Sequence, residues 1–372
     1  MSKGYLTENF GPYPVYSSQT ANNGKIGSIN TFDFDGEYIS WTTDGANAGT
    51  MFYRTGKFSI TNVCGLITLK SKYSLIYKFL FYWLTIEAKK HVYSGMGNPK
   101  LMSHQVENIP VPIPCPDNPE KSLAIQSEIV RILDTFSALT AELTAELNMR
   151  KKQYNYYRDQ LLSFNTEDVP HLPMGQKDIG EFIRGGTFQK KDFIDAGVGC
   201  IHYGQIYTYY GTYTEKTKTY ISTALAKKCK KAQKGDLIIA TTSENDEDVC
   251  KAVAWLGSED IAVSSDACIY KHNLNPKYVS YFFQTEQFQN QKRQYITGAK
   301  VRRVNADNLS KILIPVPSME IQERIVSILD KFDTLTNSIT EGLPREIELR
   351  QKQYEYYRDL LFSFPKPETA SN

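Results

Sequence analysis

The sequence predicts an α+β fold, with two mixed helix-and-strand modules separated by two long antiparallel helices that form a pseudo-two-fold internal repeat. Residues 150–164 read RKKQYNYYRDQLLSF and residues 350–364 read RQKQYEYYRDLLFSF, with 11 of 15 positions identical. Upstream, the apolar pattern of residues 125–136 recurs at 321–332. A period of about 200 residues is too long for a solenoid repeat and indicates a duplicated domain pair.

The chain divides into four predicted segments: a first mixed module at 1–114, a central long helix that acts as a spacer at 115–168, a second mixed module at 169–317, and a C-terminal long helix that acts as a spacer at 318–372. In both modules, short alternating apolar runs are interrupted by Gly, Asn and Asp, which is typical of short strands joined by turns. A helix is predicted over 74–93 in the first module and over 278–295 in the second.

Both long helices are predicted from the spacing of their apolar residues. These residues recur in alternating steps of four and three over 125–143, and again over 321–339. Such a seam favours packing against another helix, and the two copies can pack antiparallel against each other. Gly342-Leu343-Pro344 interrupts the second copy. Because proline inside a helix costs about 3 kcal/mol, a kink or short break is expected there.

Bulk composition points to an ordinary globular protein. The 372 residues carry a net charge of +2 and are 41% apolar, values that indicate no particular partner. The six cysteines show neither CxxC nor zinc spacing, which is typical of reduced thiols in a cytoplasmic protein. The most apolar run, residues 75–86, is short and contains Lys78. It predicts a buried helix and not a membrane span.

The residues that usually carry catalysis form no consistent pattern. No Gly-rich motif follows a strand in the way that nucleotide binding needs, and the five histidines are scattered. The acidic run at 244–248 lacks the order of a calcium loop, and we interpret it as a solvated turn. The chain is therefore predicted to have no catalytic residue and no metal site.

The strongest local charge bias is the lysine segment, residues 215–234, in which Glu215 is the only acid. Its seven lysines are Lys216, Lys218, Lys227, Lys228, Lys230, Lys231 and Lys234. Such a bias suits a nucleic-acid phosphate backbone, although a solvated lysine face is the alternative. The candidate DNA contacts in this segment are Lys227, Lys228, Lys230 and Lys231.

Two strand-end loops and a basic turn carry further candidate DNA contacts. The candidates are Thr42, Thr43 and Asn47 in the first module, Thr241, Thr242 and Ser243 in the second, and Lys300, Arg302 and Arg303 after a glycine turn, with Lys100 matched to Lys300. Hydroxyl and amide groups can contact phosphates and bases, and arginine can pair bidentately with guanine. Ordinary turns are the alternative interpretation of both loops.

Several motifs together resemble the DNA-specificity subunit of type I restriction-modification systems. They are the junctions IPVP at 109–112 and 314–317, the Gln-x-x-Ile pattern at 126–129 and 322–325, the stretches YPVYSS at 13–18, GEYI at 36–39 and WTTDG at 41–45, and GEFIRGG at 180–186. The resemblance covers nearly the whole chain, and the duplicated architecture is more specific than any single motif.

The resemblance implies that each mixed module is a target-recognition domain reading one half of a bipartite, asymmetric site on double-stranded DNA. It implies that the helices fix the gap between the half-sites and bind two methyltransferase subunits, and that two restriction subunits join them. The residues expected to contact these partners are Tyr154, Tyr157 and Arg158, with Tyr354, Tyr357 and Arg358 in the second copy. S-adenosylmethionine, ATP and Mg²⁺ would then be cofactors of the partner subunits.

The first module departs from this pattern at its start. It has no counterpart of the GEFIRGG opening at 180–186, so we expect the first target-recognition domain to be shortened at its N-terminus. Two other classes of protein compete with the specificity subunit. One is a coiled-coil scaffold without sequence-specific DNA binding, and the other is an enzyme, against which the thin catalytic pattern argues.

Overall fold

The structure is a computed structural model that describes residues 3–70, 74–95 and 97–364. Its described residues form two compact units. Unit 1 contains the chain up to Glu142 and again from Ile347, and unit 2 contains Leu143–Glu346. Both boundaries lie within long helices, so each unit combines one mixed module with parts of both copies of the repeat.

In unit 1, a mixed sheet has the strand order β2-β1-β4-β3-β5. The strands are β1 (Phe10–Tyr16), β2 (Lys25–Ile29), β3 (Phe34–Thr42), β4 (Met51–Ile60) and β5 (Cys64–Ile67). The helices of this module are α1 (Lys3–Glu8), α2 (Tyr77–Glu87) and α3 (Ser103–Val106), with 3₁₀ turns at Ala21–Gly24 and Ala88–His91. The helix predicted over 74–93 is therefore an α-helix that ends in a 3₁₀ turn.

The core of unit 1 lies between this sheet and α2. Strands β3 and β4 form an antiparallel hairpin, and alternation along a strand sends successive side chains to opposite faces. Ile39 and Trp41 pack with Leu80 and Leu84 of α2. The Trp41 indole also donates a hydrogen bond to the Leu101 carbonyl at 2.9 Å, which fixes the chain next to Lys100.

Unit 2 contains two larger sheets, with strand orders β10-β8-β15-β11 and β7-β16-β12-β14-β9, and the small pairs β13-β17 and β18-β6. Its strands are β6 (His171–Pro173), β7 (Gly180–Arg184), β8 (Val198–Ile201), β9 (Tyr213–Thr214), β10 (Thr219–Ile221), β11 (Lys231–Ala232), β12 (Leu237–Ala240), β13 (Thr242–Ser243), β14 (Ala252–Trp255), β15 (Ile261–Val263), β16 (Ala267–His272), β17 (Arg302–Arg303) and β18 (Leu313–Pro315).

The short helices of unit 2 connect these strands. They are α5 (Tyr203–Thr208), α6 (Thr223–Ala226), α7 (Pro276–Phe282), α8 (Glu286–Arg293) and α9 (Ala306–Leu309), with a 3₁₀ turn at Lys190–Asp192. The single helix predicted over 278–295 is wrong. The segment forms α7 and α8, because the Thr285 side chain caps the start of α8 by accepting a hydrogen bond from the Phe288 amide.

Strand β12 is the centre of unit 2. Leu237 and Ile239 belong to one apolar cluster, whereas Ile238 and Ala240 belong to another, and all four are fully buried. A strand covered on both faces needs a continuous apolar run instead of an alternating one, which is what Leu-Ile-Ile-Ala provides. This strand leads directly into the Thr241–Ser243 loop.

The long helices are α4 (Pro119–Leu161), α10 (Met319–Asn337) and α11 (Leu343–Leu361). The predicted interruption of the second copy is confirmed, since α10 and α11 are separated by residues 338–342. Pro344 lies in the first turn of α11, where its missing N–H has no cost. The first copy runs from unit 1 into unit 2 and the second from unit 2 into unit 1, so the two run antiparallel. The predicted fold class is confirmed.

Each mixed module is anchored on its long helix by the same polar contacts. In unit 2, Asp330 accepts hydrogen bonds from Lys277 Nζ and the Tyr281 hydroxyl, both at 2.7 Å. Burial and the bond to Asp330 raise the pKa of Tyr281, which keeps the phenol protonated as a donor. In unit 1, Asp134 binds Lys78 and Tyr82 in the same way at 2.7 and 2.6 Å.

Candidate nucleic-acid interface

Two segments that the sequence predicts separately as DNA contacts are neighbours in unit 2. Strands β13 and β17 pair antiparallel, with Thr242 opposite Arg303 and Ser243 opposite Arg302. Lys300 lies in the turn that leads into β17, and it is exposed. That turn requires Gly298, whose φ of +91° lies in the left-handed region that favours glycine. The chain therefore presents the hydroxyl loop and the basic turn side by side.

A cleft of about 310 Å³ opens beside this strand pair. We name it the Arg303 cleft, and its lining residues include Arg184, Thr241, Thr242, Thr297, Arg303 and Asn305. Arg184 was not among the predicted contacts, although it lies in the GEFIRGG stretch. Its exposed guanidinium gives the cleft a second cation. Two arginines beside hydroxyl and amide groups are the combination that binds phosphates and base edges.

Two hydrogen bonds fix the loop at residues 241–243 beside the Arg303 cleft. The Tyr207 hydroxyl donates a hydrogen bond to the Thr242 carbonyl at 2.8 Å, and the Thr241 hydroxyl donates to the Asp266 carbonyl at 3.0 Å. Burial raises the pKa of Tyr207, so the phenol remains a donor at neutral pH. Sequence reasoning missed Tyr207, because nothing in a tyrosine-rich stretch distinguishes the one that reaches this loop.

Arg302 is already paired within unit 2. Its Nε lies 2.8 Å from Asp246 Oδ1, and its Nη1 donates to the Gly298 carbonyl. The prediction that residues 244–248 form a solvated turn is confirmed, since all five residues are exposed, and Asp246 forms this ion pair from an exposed position. The pairing is tertiary, since the chain returns to this loop only in β17, more than fifty residues later.

The lysine segment lies on the sheet that contains β8 and β15. Lys227, Lys228 and Lys230 are exposed, and Lys231 pairs through its backbone with Ala262. The turn containing these lysines lies close to the end of β7, since a Cβ added at Gly186 would lie 2.5 Å from Cys229 Sγ. The segment thus lies close to Gly186, but its lysines do not line the Arg303 cleft. Their DNA contact stays a prediction.

Unit 1 has a comparable cluster around the Thr42 loop, residues 42–47. Thr42 is fully buried, and its hydroxyl donates to the Asn47 carbonyl. Thr43 Oγ1 donates to the Val63 carbonyl at 2.9 Å, and Asn47 Nδ2 lies 3.5 Å from Thr20 Oγ1. Lys100 is exposed and forms an antiparallel bridge with Asp44. The structure therefore joins Lys100 to this loop.

The backbone hydrogen bonds show which residues of the two basic turns occupy equivalent positions in the two units. Lys100 exchanges both backbone hydrogen bonds with Tyr93, and the following Leu101 donates to the Thr43 carbonyl at 2.8 Å. In unit 2 it is Arg303 that exchanges both bonds with Thr297, and the following Val304 donates to the Thr241 carbonyl at 3.1 Å. The structural counterpart of Lys100 is therefore Arg303. Matching it to Lys300 by sequence is wrong by three residues.

The predicted partner contacts differ in exposure. Tyr154 is 5% exposed and its hydroxyl donates to Gln284 at 3.1 Å, so its ring belongs to the core of unit 2. Arg158 is 9% exposed and lies over the Tyr154 ring at 5.5 Å. Tyr157 is 45% exposed. Tyr154 and Arg158 are thus both buried, and of the three predicted contacts in this copy only Tyr157 has an exposed side chain.

The second copy repeats this geometry in unit 1. Arg358 lies over the Tyr354 ring at 5.7 Å, and Tyr357 is 42% exposed. Sequence reasoning missed the most exposed aromatic side chains of the repeat, Tyr156 at 62% and Tyr356 at 65%. The Tyr-Tyr pair occurs at the same place in both copies and could have drawn attention to these residues. The residue type alone, however, does not show which tyrosine of the pair is exposed.

The chain matches the family model described as the type I restriction modification DNA specificity domain, over residues 1–150 and again over 173–349. This chain belongs to that family. Its role is therefore DNA sequence recognition in a restriction-modification complex, in which the catalytic activities lie in other subunits. The double match also confirms the duplication.

Two relatives support the family membership. A type I restriction enzyme specificity subunit of Escherichia coli is 46% identical over 297 residues, which cover 79% of this chain and 72% of the relative. A protein of Mycoplasma pneumoniae named as a type I specificity subunit is 30% identical over 366 residues, covering 98% and 93%.

Two solved structures share the fold of this DNA specificity chain. An S subunit from M. genitalium superposes with a TM-score of 0.50 at 14% identity, covering 99% of this chain and 92% of that one. A chain from a structural study of the assembly of the type I system reaches 0.57 at 13% identity, with 96% of each chain covered.

Within residues 3–70, 74–95 and 97–364, no group of three or more His, Cys, Asp or Glu side chains is placed to hold a metal ion. None of the helices in those same ranges combines the length and apolar character that a membrane span needs.

Proposed function

We propose that unit 1 and unit 2 each read one half of a bipartite DNA site, through the Thr42 loop with Lys100 and through the Arg303 cleft. The observation that carries this proposal is the shared pattern of backbone hydrogen bonds around Lys100 and Arg303. In each unit, the residue after this cation donates a backbone hydrogen bond to a threonine carbonyl in a loop that follows a strand. Two modules that both bind DNA are expected to place a cationic side chain at the same position of a shared backbone arrangement.

The two readers differ in their side chains, which supports an asymmetric target. Unit 1 offers the exposed Lys100, whose backbone forms a bridge with Asp44 in the loop that also contains Asn47. Unit 2 offers two guanidinium groups, Arg184 and Arg303, beside threonine hydroxyls. Lysine acts as a point charge, whereas arginine binds base edges or phosphates bidentately. Unlike readers would recognise unlike half-sites, and the long helices would set the gap between them.

We further propose that two methyltransferase subunits bind the repeated stretch, one at each copy. The identical exposed rings of Tyr156 and Tyr356 support this, since exposed aromatic residues are enriched at interface centres. Two restriction subunits would join this complex. S-adenosylmethionine, ATP and Mg²⁺ would be used by the partner subunits, and the six free thiols fit a cytoplasmic location.

The test is a genome-wide methylation map of cells that express this chain with its methyltransferase subunit. We expect a bipartite motif with a fixed gap and two unlike halves. A motif consisting of one half alone, or of a palindrome of it, would show that only one unit reads DNA. A stable complex that methylates without any motif would replace the proposal with a scaffold function.

A further inference from the structure

The acidic loop beside β13 is fixed by a buried lysine. Lys292 of α8 is 0% exposed, and its Nζ donates to the carbonyls of Glu247 at 3.0 Å and Val249 at 2.8 Å. Burying an ammonium group is costly unless it is fully hydrogen-bonded, and burial lowers the pKa of Lys292. An apolar side chain could fill the same space, so the lysine is best explained by the loop that it binds.

The same loop is closed by a second set of contacts. The Asn245 side chain donates to Asp248 Oδ2 and accepts from the Asp248 amide, both at 2.7 Å. Asp246 lies between these residues, and its carboxylate meets Arg302 Nε at 2.8 Å. A residue fixed from both sides has little freedom, so the carboxylate is presented in one place.

Stability does not account for the Asp246–Arg302 pair. The Arg302 side chain is 35% exposed and that of Asp246 is 51% exposed. Ion pairs with this much solvent access contribute little to folding, because water and salt screen the charges. A pair that is rigidly built and yet open to solvent has the properties of a binding element.

The pair also keeps unused hydrogen-bonding groups. A guanidinium has five N–H donors, of which the described contacts of Arg302 use one on Nε and one on Nη1. The remaining donors lie at the end of the side chain, next to a carboxylate that can accept further bonds. The pair therefore presents hydrogen-bond donors on Arg302 and, next to them, a hydrogen-bond acceptor on Asp246.

This order is complementary to one base pair. In the major groove, guanine presents the acceptors N7 and O6, and its paired cytosine presents the N4 donor beside them. We propose that Arg302 and Asp246 together read a G·C base pair in the half-site recognised by unit 2, with Arg302 on guanine and Asp246 on cytosine. Lys292 is the positioning residue that fixes the acidic loop. This inference rests on the proposed function of unit 2.

The experiment compares methylation maps of the complete complex containing Asp246→Ala, Arg302→Lys or Lys292→Met with the map of the unaltered chain. All three variants are expected to lose discrimination, about tenfold or more, at one and the same G·C position of one half-site. The other half-site should be unchanged, which serves as an internal control for folding. Arg302→Lys keeps the charge, so it separates base reading from phosphate attraction.

Glu244→Gln is the matched control, since it removes a charge of the same sign from the same loop and should leave the map unchanged. The inference is overturned if the unaltered motif has no G·C pair in either half, if Asp246→Ala and Arg302→Lys relax different positions, or if all positions weaken together. Absence of any bipartite motif in the unaltered complex would instead refute the proposed function itself.

Discussion

The ring of Phe332 stacks on the ring of Tyr157 in unit 2, with centroids 5.7 Å apart and planes inclined by 30°. In unit 1, Phe136 stacks on Tyr357 at 5.5 Å and 25°. Each contact joins the upstream part of one copy of the repeat to the downstream part of the other. Each unit therefore contains a pair of packed helices, one from each copy of the repeat.

The two DNA-reading surfaces are predicted to act on separate half-sites. Arg303→Ala should weaken recognition of one half-site by about 1–3 kcal/mol, whereas Lys100→Ala should affect only the other half-site. Binding to duplexes with one altered half at a time measures this. Equal loss on both halves from either change would contradict the assignment of one reader to each unit.

The lysine segment is predicted to contribute sequence-independent affinity. Changing Lys227, Lys228 and Lys230 to Gln should flatten the dependence of binding on salt, because each phosphate contact contributes about 0.9 to the slope of log K against log salt. Binding titrations at several salt concentrations measure the slope. Lys331→Gln, at an exposed position outside the segment, is the control. An unchanged slope would show that the segment is a solvated face.

The anchor at Asp330 is predicted to stabilise unit 2. Asp330→Ala removes the acceptor of Lys277 and Tyr281, whose side chains then remain partly buried without it. The free energy of unfolding should fall by about 2 kcal/mol, measured by urea titration of tryptophan fluorescence. Asp330→Asn keeps an oxygen acceptor and should cost less. Equal stability of all three chains would refute the anchor.

The break between α10 and α11 is predicted to require glycine. Gly342 has a φ of +81°, and a Cβ there would lie 2.4 Å from the Thr334 carbonyl oxygen. Gly342→Ala should therefore destabilise the protein by about 1–3 kcal/mol, seen as a lower thermal midpoint. Gly211→Ala meets no atom within 4 Å and should be nearly neutral. Similar midpoints for the two variants would contradict this account.

The repeated exposed rings are predicted to determine how many methyltransferase subunits bind. Tyr156→Ala or Tyr356→Ala should each reduce the complex from two methyltransferase subunits to one, since either change removes one of two equivalent surfaces. Native mass spectrometry counts the subunits. Phe10→Ala, which removes a ring that is 78% exposed outside the repeat, should leave two bound. Retention of two subunits by both tyrosine variants would show that this face is not the interface.

Sequence patterns predicted the elements better than the contacts between them. The seam of α4 and the break at Gly342 follow from periodicity and backbone preference, which are properties of neighbouring residues. The division of 276–293 into α7 and α8 was missed, because a single capping threonine inside a helical pattern is a weak signal. The DNA contacts proposed from the sequence remain predictions.

By itself, the sequence determined the duplication, the α+β class, the two long helical segments and the absence of a catalytic pattern, because repeats and periods are written locally in the chain. The tertiary structure decided which distant residues meet. It placed Arg303 where Lys100 lies in the other unit, joined Asp246 to Arg302, and buried Lys292 beneath the acidic loop. These contacts join residues that are far apart in sequence, and no local preference encodes which distant segments pack together.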